Sequence, residues 1–73
     1  MTHFKSRLEF RLSIIRKEPL EVVAKKWNKY MQDYDNLDEP TICDKVHNRE
    51  AFYMYMNYKS KYEREKNGQI RHN

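Results

Sequence analysis

The stretch from Leu20 to Tyr34 constrains this chain most. Leu20, Val23, Ala24, Trp27, Tyr30, Met31 and Tyr34 fall within an arc of about 120° at 3.6 residues per turn. Glu21, Lys25, Lys26, Lys29, Gln32 and Asp33 occupy the opposite side. That is an amphipathic helix with one face to bury, opened by Pro19 in its first turn and by the acids Glu18 and Glu21, which suit the helix dipole. A helix of this kind needs other helices to cover it. The chain has 73 residues, one Gly and two Pro, so it has room for one domain and few breaks within its elements. Mean hydropathy is -1.18 and 36% of residues are charged, values that suit disorder only where apolar residues are scattered. Here they are grouped, and 14% of the chain is aromatic. The expected fold class is all-α, a small compact bundle of four helices with the third short.

The first segment, Thr2 to Lys17, has two readings. Phe4, Leu8, Leu12 and Ile15 line one helical stripe, while Leu8, Phe10, Leu12 and Ile14 alternate as in a strand. Helix is the expectation, because no other segment offers a lone strand a partner. Phe10 and Ile14 then make a second apolar edge. After an acidic, aperiodic run from Asp35 to Glu39, Ile42 and Val46 predict a short third helix capped by Asp38, or by Thr41 with Asp44 in the capping-box position. Asn48 is the expected cap of a final helix from Arg49 to Lys66, closed by a left-handed Gly68. Residues 1–66 form the single expected domain, and residues 67–73 a frayed basic tail.

Charge is segmented. Residues 1–17 hold five Lys or Arg against Glu9, residues 18–40 three Lys against six acids, and residues 41–73 seven basic residues against four acids. A dedicated DNA binder carries a more uniform basic coat. Lys5, Arg7, Arg11, Arg16 and Lys17 are spread around the first helix and read either as a solvated surface or as a weak, sequence-indifferent nucleic-acid contact. The last helix sets Ala51, Met54, Tyr55, Tyr58 and Tyr62 along one stripe. These read as core, and Phe52, Tyr53 and Met56 as outward candidates for a partner-binding patch.

Motifs for catalysis are missing: there is no Gly-rich phosphate loop, no HExxH, no CxxC and no nucleophile signature. Cys43 and His47 are four residues apart, but two ligands make a poor metal site, and Cys43 reads more simply as a mostly buried small apolar residue. No enzyme activity, metal, cofactor or small-molecule substrate is expected. Neither a membrane span nor a signal peptide is present in the sequence given, so the expectation is a cytoplasmic protein without a membrane partner.

From Leu8 to about Lys61 the order of features resembles the Hha/YmoA family of small bacterial nucleoid modulators. The resemblance rests on Arg11-Leu12, Leu20-Glu21 followed by Val23, the acidic loop around Asp33 to Asp38, the His47 and Arg49 region, and Ala51 followed by Met56-Asn57. It implies a four-helix, non-catalytic domain that binds the dimerisation domain of an H-NS-like protein and so alters silencing on DNA. One acid through which the family receives basic partner side chains falls on Glu21; the second position is His47 here, with Asp44 one turn earlier. The resemblance therefore points to a partner surface of Glu21, Asp33, Asp35, Asp38 and Asp44, on a bacterial protein or a phage or plasmid mimic. The alternatives are direct nucleic-acid binding and service as an accessory protein of a replication or repair enzyme such as a helicase.

Overall fold

The computed structural model describes the backbone of residues 2–71 and the side chains of residues 3–65. Three helices account for the described fold: α1, Thr2–Ile15; α2, Leu20–Asp35; and α3, Ile42–Arg71. The expectation of four helices is thus corrected to three. What reads in sequence as a short third helix and a separate final one is continuous, because nothing between Ile42 and Arg49 breaks a helix. Asn48 is not a cap but a mid-helix residue, its amide reaching Met31 Sδ on α2 at 3.4 Å. Gly68 does not close α3 either, since the helix passes through it to Arg71. His72 and Asn73, the end of the expected tail, lie outside the described residues.

Each connection has a chemical reason. Lys17 adopts φ 55°, its N–H donates to the Ile14 carbonyl at 3.0 Å, and the Glu18 N–H donates to the Ser13 carbonyl at 3.1 Å. This is a Schellman closure of α1 with lysine where glycine is usual. Pro19 then opens α2, its carbonyl accepting from the Val22 and Val23 N–H groups. The α3 start is a reciprocal capping box: the Asp44 N–H donates to Thr41 Oγ1 at 3.1 Å, and the Thr41 N–H to Asp44 Oδ2 at 2.9 Å. Of the two caps open to the sequence, Thr41 is the one used.

The helices run up, down and up. At one end His3 of α1 meets Asp44 of α3, Nε2 to Oδ1 3.3 Å. At the other, the Tyr58 hydroxyl of α3 donates to the Glu18 carbonyl beyond α1. Phe10, Val23, Tyr30 and Ala51 are the buried hydrophobic residues among those described, with Ile14, Trp27, Tyr34, Tyr55 and Tyr58 packed around them. Phe10 is the hub, its ring centroid 5.2 Å from that of Trp27, 6.1 Å from Tyr55 and 6.5 Å from Tyr30. Aromatic volume supplies a core that few side chains could otherwise build in so short a chain.

Of the two apolar stripes of α1, only one is covered. Phe10 is the buried residue, and its face is completed by His3, Ser6 and Ser13. The two serines are satisfied locally, Ser6 Oγ donating to the His3 carbonyl at 3.2 Å and Ser13 Oγ to the Phe10 carbonyl at 2.6 Å. Small, satisfied residues on either side of Phe10 let the neighbouring helices approach its ring closely. The stripe of Phe4, Leu8 and Ile15 instead faces solvent.

Candidate protein-interaction surface

Two apolar faces are left uncovered by the bundle. The first is the outer stripe of α1, where Ile15 is 68% exposed and Phe4 and Leu8 about half exposed. Helical geometry sets Arg7 and Arg11 along one edge of this stripe and Lys5 and Arg16 along the other. Glu9, the one acid of α1, is about 120° round from the centre of the stripe. The Arg7 guanidinium sits over the Phe4 ring at 5.1 Å from its centroid, so cation and apolar surface are locally joined. Lys17 stands apart in the turn after α1. The five basic residues singled out in sequence are therefore divided: four border an apolar stripe, and none forms a continuous cationic groove.

The second face belongs to α3, which directs Ala51, Tyr55 and Tyr58 into the bundle. On its far side Ile42 is 81% exposed, Tyr53 59% and Val46 51%, with Phe52 and Met56 also exposed. Phe52 lies at the margin, 6.2 Å from the Trp27 ring and 5.9 Å from that of Tyr53. Ile42, Val46 and Tyr53 border a shallow depression of about 390 Å³ with Lys45, Arg49 and Glu50. The sequence singles out Phe52, Tyr53 and Met56 but not Ile42 and Val46, whose spacing serves there only to predict a separate short helix. Their spacing of seven and eleven residues from Tyr53 was the available signal, legible only once α3 is known to be unbroken.

The acidic residues do not converge. Glu21 is exposed in the first turn of α2, while Asp35 closes that helix, about 21 Å away at 1.5 Å per residue. Asp33 is half-buried near that far end, and Asp38 is exposed in the loop before α3. Asp44 is occupied: its carboxylate accepts from the Thr41 N–H and meets His3 Nε2, and its own N–H donates to Thr41 Oγ1. The Thr41 N–H bond, chiefly, holds its carboxyl below the ordinary value of 3.8. It is a structural carboxylate with little left to offer a partner.

Cys43 is exposed, which corrects the expectation of a buried apolar residue; it precedes Asp44, the residue that turns toward α1. His47 lies within 3.7 Å of Glu50, one turn along the same helix. Among the described residues no group of three or more His, Cys, Asp or Glu is placed to hold a metal ion. Burial raises the Tyr30 hydroxyl above its ordinary value, partly offset by its hydrogen bond with Asn48. Burial also raises Tyr58. The Tyr58 hydroxyl is the structural donor, bonded to the Glu18 carbonyl. No described helix is long and apolar enough to cross a membrane. Compared with protein-family models, with curated proteins and with solved structures, the chain matches none.

Proposed function

We propose that this chain is a non-catalytic adaptor that acts by binding another protein, and that the outer stripe of α1 is where a heterologous partner docks. The observation behind this reading is that Phe4, Leu8 and Ile15 are exposed together between two edges of Lys and Arg. An apolar ridge with cations on both sides complements a helix or groove that offers apolar side chains flanked by carboxylates. It is a poor match for duplex DNA, whose backbone rewards cations and leaves three large apolar side chains in water. The resemblance to the Hha/YmoA family suggests the class of partner, a DNA-organising protein of the H-NS type.

Calorimetric titration of the chain into the dimerisation domain of an H-NS-type protein tests this. The expected result is binding at about micromolar affinity or tighter, with a negative heat-capacity change, abolished by Leu8→Glu. Absence of binding by the wild-type chain would sink this choice of partner. Binding that survives Leu8→Glu and is lost in Glu21→Ala would place the contact on the acidic start of α2 instead. Anisotropy titration with duplex DNA at two salt concentrations separates direct nucleic-acid binding, whose affinity falls steeply with salt.

A further inference from the structure

The outward face of α3 has a regularity that the α1 stripe lacks. Ile42, Val46, Arg49, Tyr53, Met56 and Ser60 follow one another at alternating steps of four and three residues, and all six are exposed. That is the 3.5-residue repeat with which a helix meets another helix along a seam. The edges of the seam are exposed too: Lys45, Phe52 and Lys59 on one side, Cys43, Glu50 and Asn57 on the other. The bundle takes up only the opposite side of α3, through Ala51, Tyr55 and Tyr58.

We propose that the protein is a two-fold homodimer in which α3 packs antiparallel against α3 of a second copy along this seam. Two features of the face point to a second copy. The first is its size. Phe52 and Tyr53 are 45% and 59% exposed, so each presents about half of the ~150–250 Å² that such a side chain can bury. Only with Ile42, Val46 and Met56, and with Arg49 and the exposed edge residues drawn in, does the face approach the ~800 Å² per partner of a stable interface. The second is charge. A two-fold axis sets a surface against itself, so a face with one sign of charge opposes self-pairing, while a face with both signs can satisfy itself. The α1 stripe has cations along both edges, its one acid, Glu9, lying about 20° beyond Arg16. The α3 face holds Glu50 beside Arg49 on one side of the seam, with Lys45 and Lys59 on the other.

Arg49 also fixes the direction. A parallel pair would place Arg49 against the partner's Arg49 inside the seam. An antiparallel pair about an axis beside Ala51 places Arg49 against the partner's Tyr53, with the partner's Glu50 alongside, and Val46 against the partner's Met56. The guanidinium then has both an aromatic face and a carboxylate. Two like-charged contacts occur in this register, Lys45 with the partner's Lys59 and Glu50 with the partner's Glu50 beside the axis; all three residues are exposed at the edges, where their charged groups reach water. The dimer leaves the α1 stripe free, so it stands or falls independently of the adaptor reading.

Sedimentation equilibrium on the isolated chain decides it. The expected mass is twice the 9.1 kDa of the chain. Val46→Glu and Tyr53→Glu should each weaken self-association by about 30-fold or more, the scale of an interface hot spot, with helical circular dichroism unchanged. Leu8→Glu should leave the mass at that of the dimer. Asn57→Cys tests direction: an antiparallel pair brings it beside the partner's Cys43, so mild oxidation should give a covalent dimer that Cys43→Ser abolishes. A monomer at up to about 200 µM, or a dimer indifferent to both seam substitutions, overturns the proposal. A dimer that Asn57→Cys fails to cross-link overturns the antiparallel pairing.

Discussion

Single residues set the two turns of this fold, and both can be tested. Lys17 holds φ 55° to close α1, a conformation that costs a residue with a Cβ about 1 kcal/mol and costs glycine almost nothing. Lys17→Gly should therefore raise unfolding free energy by up to about 1 kcal/mol in urea melts. At the start of α3, Asp44 joins the Thr41 capping box to His3 of α1. Its carboxyl is held below the ordinary value of 3.8, so the ionised form is favoured in the fold. The resulting stability is present above that ordinary value and is lost as pH falls through the lower folded value. Acid titration of the thermal midpoint should show this fall, and Asp44→Asn should flatten it. The Thr41-Asp44 box was visible in the sequence because its three-residue spacing is local. The His3 contact spans 41 positions and was not, since the sequence does not show which helix ends meet.

At the scale of elements, α2 matches its sequence signature: the apolar arc buries Val23 and Tyr30 and half-buries Trp27 and Tyr34. Helix α1 departs from it. Periodicity identifies Phe4, Leu8, Leu12 and Ile15 as one stripe and Phe10 with Ile14 as another, but it does not say which one faces inward. The aromatic cluster decides, because Phe10 meets Trp27, Tyr30 and Tyr55 together. By residue type Asn48 is a good cap, which is why the sequence alone divides α3 there. The uninterrupted backbone makes a specific prediction. Asn48→Pro should cost about 3 kcal/mol, because it removes an interior hydrogen bond and clashes with the preceding turn. Asn48→Ala loses only the contacts with Met31 and Tyr30 and should cost much less in the same denaturant melt. A helix that began near residue 49 would tolerate proline there.

For the whole molecule, the Cα radius of gyration is 14.0 Å, against about 11 Å expected of a compact domain of this length. The extents of 51 × 18 × 17 Å show why: α3 is roughly twice as long as α1 or α2 and runs on past the bundle. A short three-helix packing with so few buried residues has a narrow stability margin of its own. Association along α3 would add to it by mass action. The thermal midpoint of the wild-type chain should accordingly rise with protein concentration, and that of Val46→Glu should not. Differential scanning fluorimetry over about a hundredfold concentration range reads both.

The sequence by itself determined the helical class and the strong amphipathic α2 and narrowed the cap before Ile42 to Asp38 or Thr41, because each depends on residues within a few turns of one another; the structure chose Thr41. The sequence also picked out Phe52, Tyr53 and Met56 from their place on the last helix. Tertiary structure decided which stripe of α1 is core, merged two expected helices into α3, and turned Ile42, Val46, Phe4, Leu8 and Ile15 toward solvent. The physical reason is that hydrophobic periodicity records which residues share a face, while burial depends on which face the other helices can reach. In a chain this small there are fewer covering surfaces than apolar faces, and the faces left over are the ones on which the proposed partner and the proposed second copy would dock.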